Sequence, residues 1–174
     1  MKLNRHLLAS GSGNHLQPKS LGRVLTLLDL KCESRFLDLG SSLGAACLLP
    51  SMLGVSSVTG IEREESLVAA ARELTNGYDI EYRHEDIMQL KLCQLRGFTH
   101  AFSFDKVFGA ETFTRVRNLV TGCPSFRFVA STHGPGFWPR EWLLLDKVDT
   151  RLAGSAQRIR MYVYRRSHIT FVAQ

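Results

Sequence analysis

The sequence predicts an open, mostly parallel α/β sheet with helices on both faces and an antiparallel strand pair at the C-terminal end. Three observations predict it. Apolar strand-like runs alternate with helix-like segments across residues 20–130, the order that builds a parallel sheet. A turn of small residues, Gly40-Ser41-Ser42-Leu43-Gly44, follows the first such run, and an acid, Glu62, ends the second. Two final runs, 142–148 and 159–165, meet around Gly154-Ser155 as the arms of a hairpin would.

Each element has its own signal. Residues 20–30 carry Leu21, Val24, Leu25, Leu27 and Leu28 behind Pro18, which predicts an amphipathic helix with proline at its start. Strand 35–39, helix 43–53 and strand 57–61 follow. Glu64-Glu65-Ser66 opens the next helix, whose face is expected from Leu67, Ala70, Ala71 and Leu74. Asn76-Gly77 ends it, since glycine takes the left-handed conformation at a helix C-terminus without steric cost. Residues 80–83 alternate as a short strand and lead into His84-Glu85-Asp86-Ile87. Residues 99–104 form a fourth strand ending at Asp105. Residues 111–120 form a helix with the stripe Phe113, Val116, Leu119 and Val120, and 126–130 a fifth strand. One domain over 1–174 is expected, with 1–18 as a loose N-terminal arm.

Composition narrows the function classes. The chain has 174 residues, 44% hydrophobic and 22% charged, which is ordinary for a globular protein and excludes extended disorder. No apolar run reaches the ~20 residues of a membrane span. Lys2 and Arg5 precede no continuous apolar segment, so no secretory leader is expected. Cys32, Cys47, Cys93 and Cys123 are scattered without a C-x-x-C pair, which fits free thiols in a reducing compartment, nucleus or cytoplasm. The six histidines show no ligand spacing, and no metal is expected. The net charge is +6 and uneven: residues 137–174 hold seven basic residues against three acidic, and residues 1–31 five against one. Basic ends around a slightly acidic middle fit an acidic macromolecular partner, and fit equally a solvated basic face.

The turn and the acid carry the chemistry. Small residues let a ligand approach the backbone, and a carboxylate about 20 residues further on can grip a ribose diol. Glu62 lies 22 residues after Gly40 and 18 after Gly44. A dinucleotide fingerprint wants three glycines, and here the middle one is Ser42. Asp38, two residues before Gly40, lies outside that fingerprint.

Asp38-x-Gly40-x-Ser42-x-Gly44 instead resembles the first motif of class I S-adenosylmethionine-dependent methyltransferases, acid-x-Gly-x-Gly-x-Gly, and their Rossmann-like fold is the one expected here. The resemblance implies a cofactor site made of Asp38, Gly40, Ser41, Ser42 and Gly44, with Glu62 on the ribose, Asp86 on the adenine amino group and Ile87 against the ring. Asp105 would stand beside the leaving methyl group. Within that class, Ser103-Phe104-Asp105-Lys106-Val107-Phe108-Gly109-Ala110-Glu111 resembles the nucleosome-acting histone lysine methyltransferases that lack a SET domain. That family has Asn-Phe-Ala-Phe-Gly-Pro-Glu there. The opening Asp38-Leu39-Gly40-Ser41 and the run Phe128-Val129-Ala130-Ser131-Thr132 are similar to it as well. The resemblance implies methyl transfer to a histone-type lysine through an aromatic channel, with Phe104, Phe108, Phe137 and Trp138 as its candidates and Phe108 foremost. RNA and small molecules are the alternative acceptors. The Asn/Asp-Pro-Pro-aromatic signature of base-amine methylation is absent from the sequence. A catalytically degenerate module serving a nucleic-acid complex is the reading from another class. A loop at Ser10–His15 that closes over the methionine moiety, as in related enzymes, is a further expectation.

Overall fold

The computed structural model describes residues 16–152 and 155–167. The chain runs through α1 (Pro18–Leu27), β1 (Arg35–Leu39), α2 (Ala45–Met52), β2 (Ser57–Glu62), α3 (Glu65–Leu74), β3 (Glu81–His84) and β4 (His100–Ser103). It continues through α4 (Ala110–Gly122), β5 (Phe128–Ser131), β6 (Trp142–Arg151) and β7 (Arg158–Arg166). Short 3-10 turns over Ile87–Gln89, Leu92–Leu95 and Asp105–Val107 flank β4.

The seven strands form one sheet in the order β3-β2-β1-β4-β5-β7-β6. The first five are parallel, and β7 runs antiparallel to both β5 and β6. β1 is buried along Phe36–Leu39, as a central strand covered on both faces must be. The chain builds β2 and β3 to one side of β1 and then crosses to β4 on the other. That reversal leaves a crevice at the carboxyl ends of β1 and β4, where open sheets bind ligands.

Two cores cover the two faces. Phe36, Phe102, Ala130 and Val163 pack with α1, α2 and α3 on one side. Leu37, Ala101, Val129 and Tyr164 pack with α4 and the 3-10 turns on the other. Neighbours along each strand thus point to opposite layers, the period-2 alternation of a sheet. The buried face of α3 is centred on Val68 and Ala71 rather than on Leu67, which stays half-buried. Leu67 instead faces the crevice.

The expectation of a loose arm over 1–18 needs correction at its end. Leu16 is buried and bridges Leu152, and the Gln17 N–H donates to the Arg151 carbonyl at 2.8 Å. Apolar burial and strand-like pairing fix these residues. Residues 1–15, including the expected Ser10–His15 closing loop, and Gly154 of the expected hairpin turn lie outside the described residues. β6 is the sheet edge. It exposes Leu143, Leu144 and Leu145 and carries a register shift between Leu144 and Asp146. The four cysteines are free. Among the described residues, no helix is long and apolar enough to cross a membrane, and no group of three metal-ligating side chains is assembled.

Candidate nucleotide-type cleft

The small-residue turn after β1 is held by backbone bonds to the strand beside it. The N–H groups of Gly40 and Ser41 both donate to the Ile61 carbonyl at 2.9 Å, and Gly44 closes the turn onto Ser41 at 2.8 Å. Gly40, Ser42 and Gly44 all have positive φ, at +85°, +47° and +78°. Ser42 therefore keeps the left-handed backbone that a glycine would adopt freely, at a cost of about 1 kcal/mol. Its N–H donates to Glu62 Oε2 at 3.0 Å, while Glu62 Oε1 accepts the Glu64 N–H at 3.0 Å. Two backbone donors thus fix the carboxylate, and the remaining lone pairs of its oxygens are left for a ligand.

Gly40, Ser42, Glu62, Asp86 and Ile87 line a cleft of about 360 Å³, together with Phe104 and Phe108. A volume of this order suits a small-molecule site. Asp86 caps the 3-10 turn by accepting the Met88 N–H at 2.8 Å on Oδ1, so one carboxylate is both a cap and part of the cleft wall. Ile87 is buried beneath it. The Phe108 ring rests on the turn: a Cβ added to Gly40 would sit 2.6 Å from its Cζ.

A second, small cavity of about 40 Å³ continues past the turn, lined by Asp38, Gly40, Ser41, Ser42, Phe102 and Phe104, among others. Asp38 is 2% exposed. Its Oδ2 has only the Cys47 thiol, at 3.8 Å, and its Oδ1 has no partner. Burial pushes its carboxyl up to about 8. The Ser41 hydroxyl beside it is buried and unpartnered too. An orphaned carboxylate and hydroxyl in one cavity are polar capacity that the protein alone does not use.

Two predicted residues have other partners. A Cβ at Gly44 would collide with the Tyr82 hydroxyl, and one at Gly60 with Ser41 and Tyr82. Gly44 thus makes room for Tyr82 at the start of α2, and Gly60 for packing between the turn and β3. Asp105 is buried but does not line the cleft. Its carboxylate turns to the end of β5, where it accepts from the Ser131 hydroxyl at 3.0 Å, the Thr132 N–H at 3.0 Å and the Thr132 hydroxyl. His133 Nδ1 meets it at 3.1 Å. Sequence reasoning missed His133; the polar run Ser131-Thr132-His133 directly after an apolar strand was the available signal.

The aromatic candidates separate. Phe104 and Phe108 line the cleft. Phe108 meets Phe113 at 6.2 Å between ring centroids, Phe113 meets His133 at 4.2 Å, and His133 meets Phe137 at 4.1 Å. These rings form a wall from the glycine turn to the end of β5. Trp138 is 6% exposed and packs on Trp142 and Tyr164 in the core, where apolar burial decides its place.

The sequence matches no family model, and no curated protein matches it significantly. Solved structures do resemble it. A 23S rRNA methyltransferase, ErmE, is 16% identical with a TM-score of 0.69, covering 88% of this chain and 70% of its own. Magnesium protoporphyrin IX methyltransferase from Synechocystis, solved with bound S-adenosylmethionine, is 15% identical with a TM-score of 0.66, covering 86% and 79%. An RNA methyltransferase from Salinibacter ruber, in complex with S-adenosylhomocysteine, is 20% identical with a TM-score of 0.65, covering 88% and 94%. The strand order, the crevice and these likenesses make the fold the Rossmann-like methyltransferase fold.

Proposed function

We propose that this chain binds S-adenosylmethionine in the cleft at the carboxyl ends of β1, β2 and β4 and methylates a macromolecular acceptor. The observation that carries the reading is the pairing of a fixed Glu62 carboxylate in the cleft with an orphaned Asp38 carboxylate in the adjoining cavity. The residues present fit the cofactor's parts. Glu62 can accept from a ribose diol through its free lone pairs. Asp86 offers Oδ2 to an adenine amino group above buried Ile87. An ammonium group would be the partner that Asp38 Oδ1 lacks. The methyltransferase neighbours of the same fold, solved with that cofactor or its demethylated product, support the same assignment.

When bound, the cofactor supplies a methyl group on a positively charged sulfur. The chain's own part is positioning. Glu62 and Asp38 fix the two ends, and Phe108, which rests on the Gly40 turn, lines with Phe104 the path toward β4 and β5. Asp105 orients His133 and the β5 loop rather than facing the cleft. The resemblance at Ser103–Glu111 favours a protein lysine as acceptor, and the RNA-directed neighbours favour RNA.

Calorimetry of S-adenosylmethionine and S-adenosylhomocysteine tests the site. Micromolar binding is expected, with Glu62→Ala weakening it about 10- to 100-fold, the worth of lost hydrogen bonds to a charged group. Intact binding in Glu62→Ala, beside a lowered melting temperature of the cofactor-free protein, would sink the assignment. Labelled-methyl transfer to nucleosomes, free histones and bulk RNA then separates the acceptors.

A further inference from the structure

β5 pairs with β7 only from Arg165 back to Tyr162, so Arg158–Met161 and their β6 partners continue past the end of β5. Four residues at about 3.3 Å each make an overhang of roughly 13 Å. It projects on the rim that carries Gly40, Phe104 and His133. One face of this two-stranded ribbon is apolar: Val148, Ile159 and Met161 are buried, with Val148 and Met161 in the core layer of α1. Leu16 clamps its end at Leu152. The ribbon is thus held against the body of the protein.

Its other face is charged and open. Successive cross-strand pairs on that face are Lys147 with Tyr162, Asp149 with Arg160, and Arg151 with Arg158. All except half-buried Tyr162 are exposed. The single acid is engaged by Arg160, at 2.7 Å from Arg160 Nε to Asp149 Oδ1. Among the described residues, Arg151, Arg158 and Lys147 have no acidic partner. Two arginines directly opposite one another repel, and Asp149, the acid on that face, spends its hydrogen bond on Arg160. At the inner end of the row, Tyr162 lies 3.1 Å from a Cβ placed on Gly134, next to His133 and the aromatic wall. Exposed basic side chains along one ribbon face, leading to the half-buried rings of Tyr162, His133 and Phe137, match a polyanionic strand whose bases can stack.

We propose that this face of the β6–β7 ribbon is a docking track for the phosphate backbone of a single-stranded nucleic acid, which would deliver the methyl acceptor to the cleft. The second clause rests on the methyl-transfer reading; the docking itself does not. Arg151 and Arg158 hold the backbone, Lys147 adds a third contact, and Tyr162 starts the stacking surface toward Phe137 and His133.

The test is fluorescence anisotropy of the full chain with a labelled ~20-nucleotide single-stranded RNA, without cofactor and over a salt series. The wild type is expected to bind. Arg151→Glu/Arg158→Glu should weaken binding at least about tenfold and lower the salt slope by about 1.4, two phosphate contacts' worth for a single strand. Lys19→Glu/Arg23→Glu removes the same charge from exposed positions of α1 and should change affinity less than about threefold. Arg158→Glu alone separates binding from folding. It converts the opposed arginines into an ion pair, so its melting temperature should rise by about 1–3 °C while affinity falls. The proposal is overturned by absent wild-type binding, by equal damage from the α1 variant, or by polyglutamate competing as well as RNA. Calorimetry with S-adenosylmethionine reports separately on the cofactor reading.

Discussion

Asp38, on β1, and Asp105, just past the end of neighbouring β4, are both buried carboxylates, and the protein treats them oppositely. Asp105 gathers the Ser131 and Thr132 hydroxyls, the Thr132 N–H and the His133 ring. Asp38 has a thiol at 3.8 Å and a bare oxygen. A buried carboxylate with every site filled works for the fold, since it organises the groups around it. One left short of donors costs stability until something supplies them. The contrast sets Asp105 in the architecture and leaves Asp38 as the candidate for binding, and substitutions can break it.

Asp105→Ala carries the largest expected effect. Removing the acceptor strands the buried Ser131 hydroxyl and the half-buried Thr132 N–H and hydroxyl, so urea unfolding should show a loss of about 3 kcal/mol. Unchanged stability would mean that the network is incidental. Asp38→Asn should act in the reverse direction, stabilising the cofactor-free protein by about 1–3 kcal/mol at pH 8 while abolishing S-adenosylmethionine binding in calorimetry. Its pH dependence carries a definite sign. The folded-state carboxyl is raised from 3.8 to about 8, so the folded protein holds a proton that the unfolded chain has released. Wild-type stability from this group is full below pH 3.8 and drains away as pH rises toward 8. The gap between Asp38→Asn and wild type should therefore widen across that window; a constant gap refutes the burial argument. The same logic predicts proton release when a cationic ligand binds near pH 7, visible as a buffer-dependent binding enthalpy. Ser42→Gly should be the mildest change. It relieves the left-handed backbone at φ +47°, shifts stability by at most about 1 kcal/mol and leaves cofactor affinity intact, because only the Ser42 backbone N–H meets Glu62.

The comparison also marks what the sequence could tell. The alternation of strands and helices followed from local apolar periods and short links, and Gly40, Ser42, Glu62, Asp86 and Ile87 line one cleft. Those features are local, or one βαβ unit apart. What remained hidden depends on distant side chains. Asp105 lies on the expected rim, yet its direction is set by Ser131, Thr132 and His133, more than 25 positions later. Gly60 has no partner visible in its own run of sequence, yet Tyr82 and Ser41 are what demand it. Trp138 has the composition of a channel residue and the surroundings of a core one. Period and spacing carry no information on such rotations and contacts.

The contact of Phe108 with Gly40 has an evolutionary reading. Glycine turns in nucleotide sites are ordinarily explained by the ligand that lies on them. Here the backbone at φ +85° and the Phe108 ring, which an added Cβ would meet at 2.6 Å, both disfavour a side chain at position 40 with no ligand present. A descendant of this protein with an unused cleft would still favour Gly40 on both grounds, the left-handed backbone and the packed ring. A retained motif glycine thus records its turn and the neighbour it packs against, whereas the unpartnered Oδ1 of Asp38, which neither ground explains, is the feature whose loss would mark a silent site.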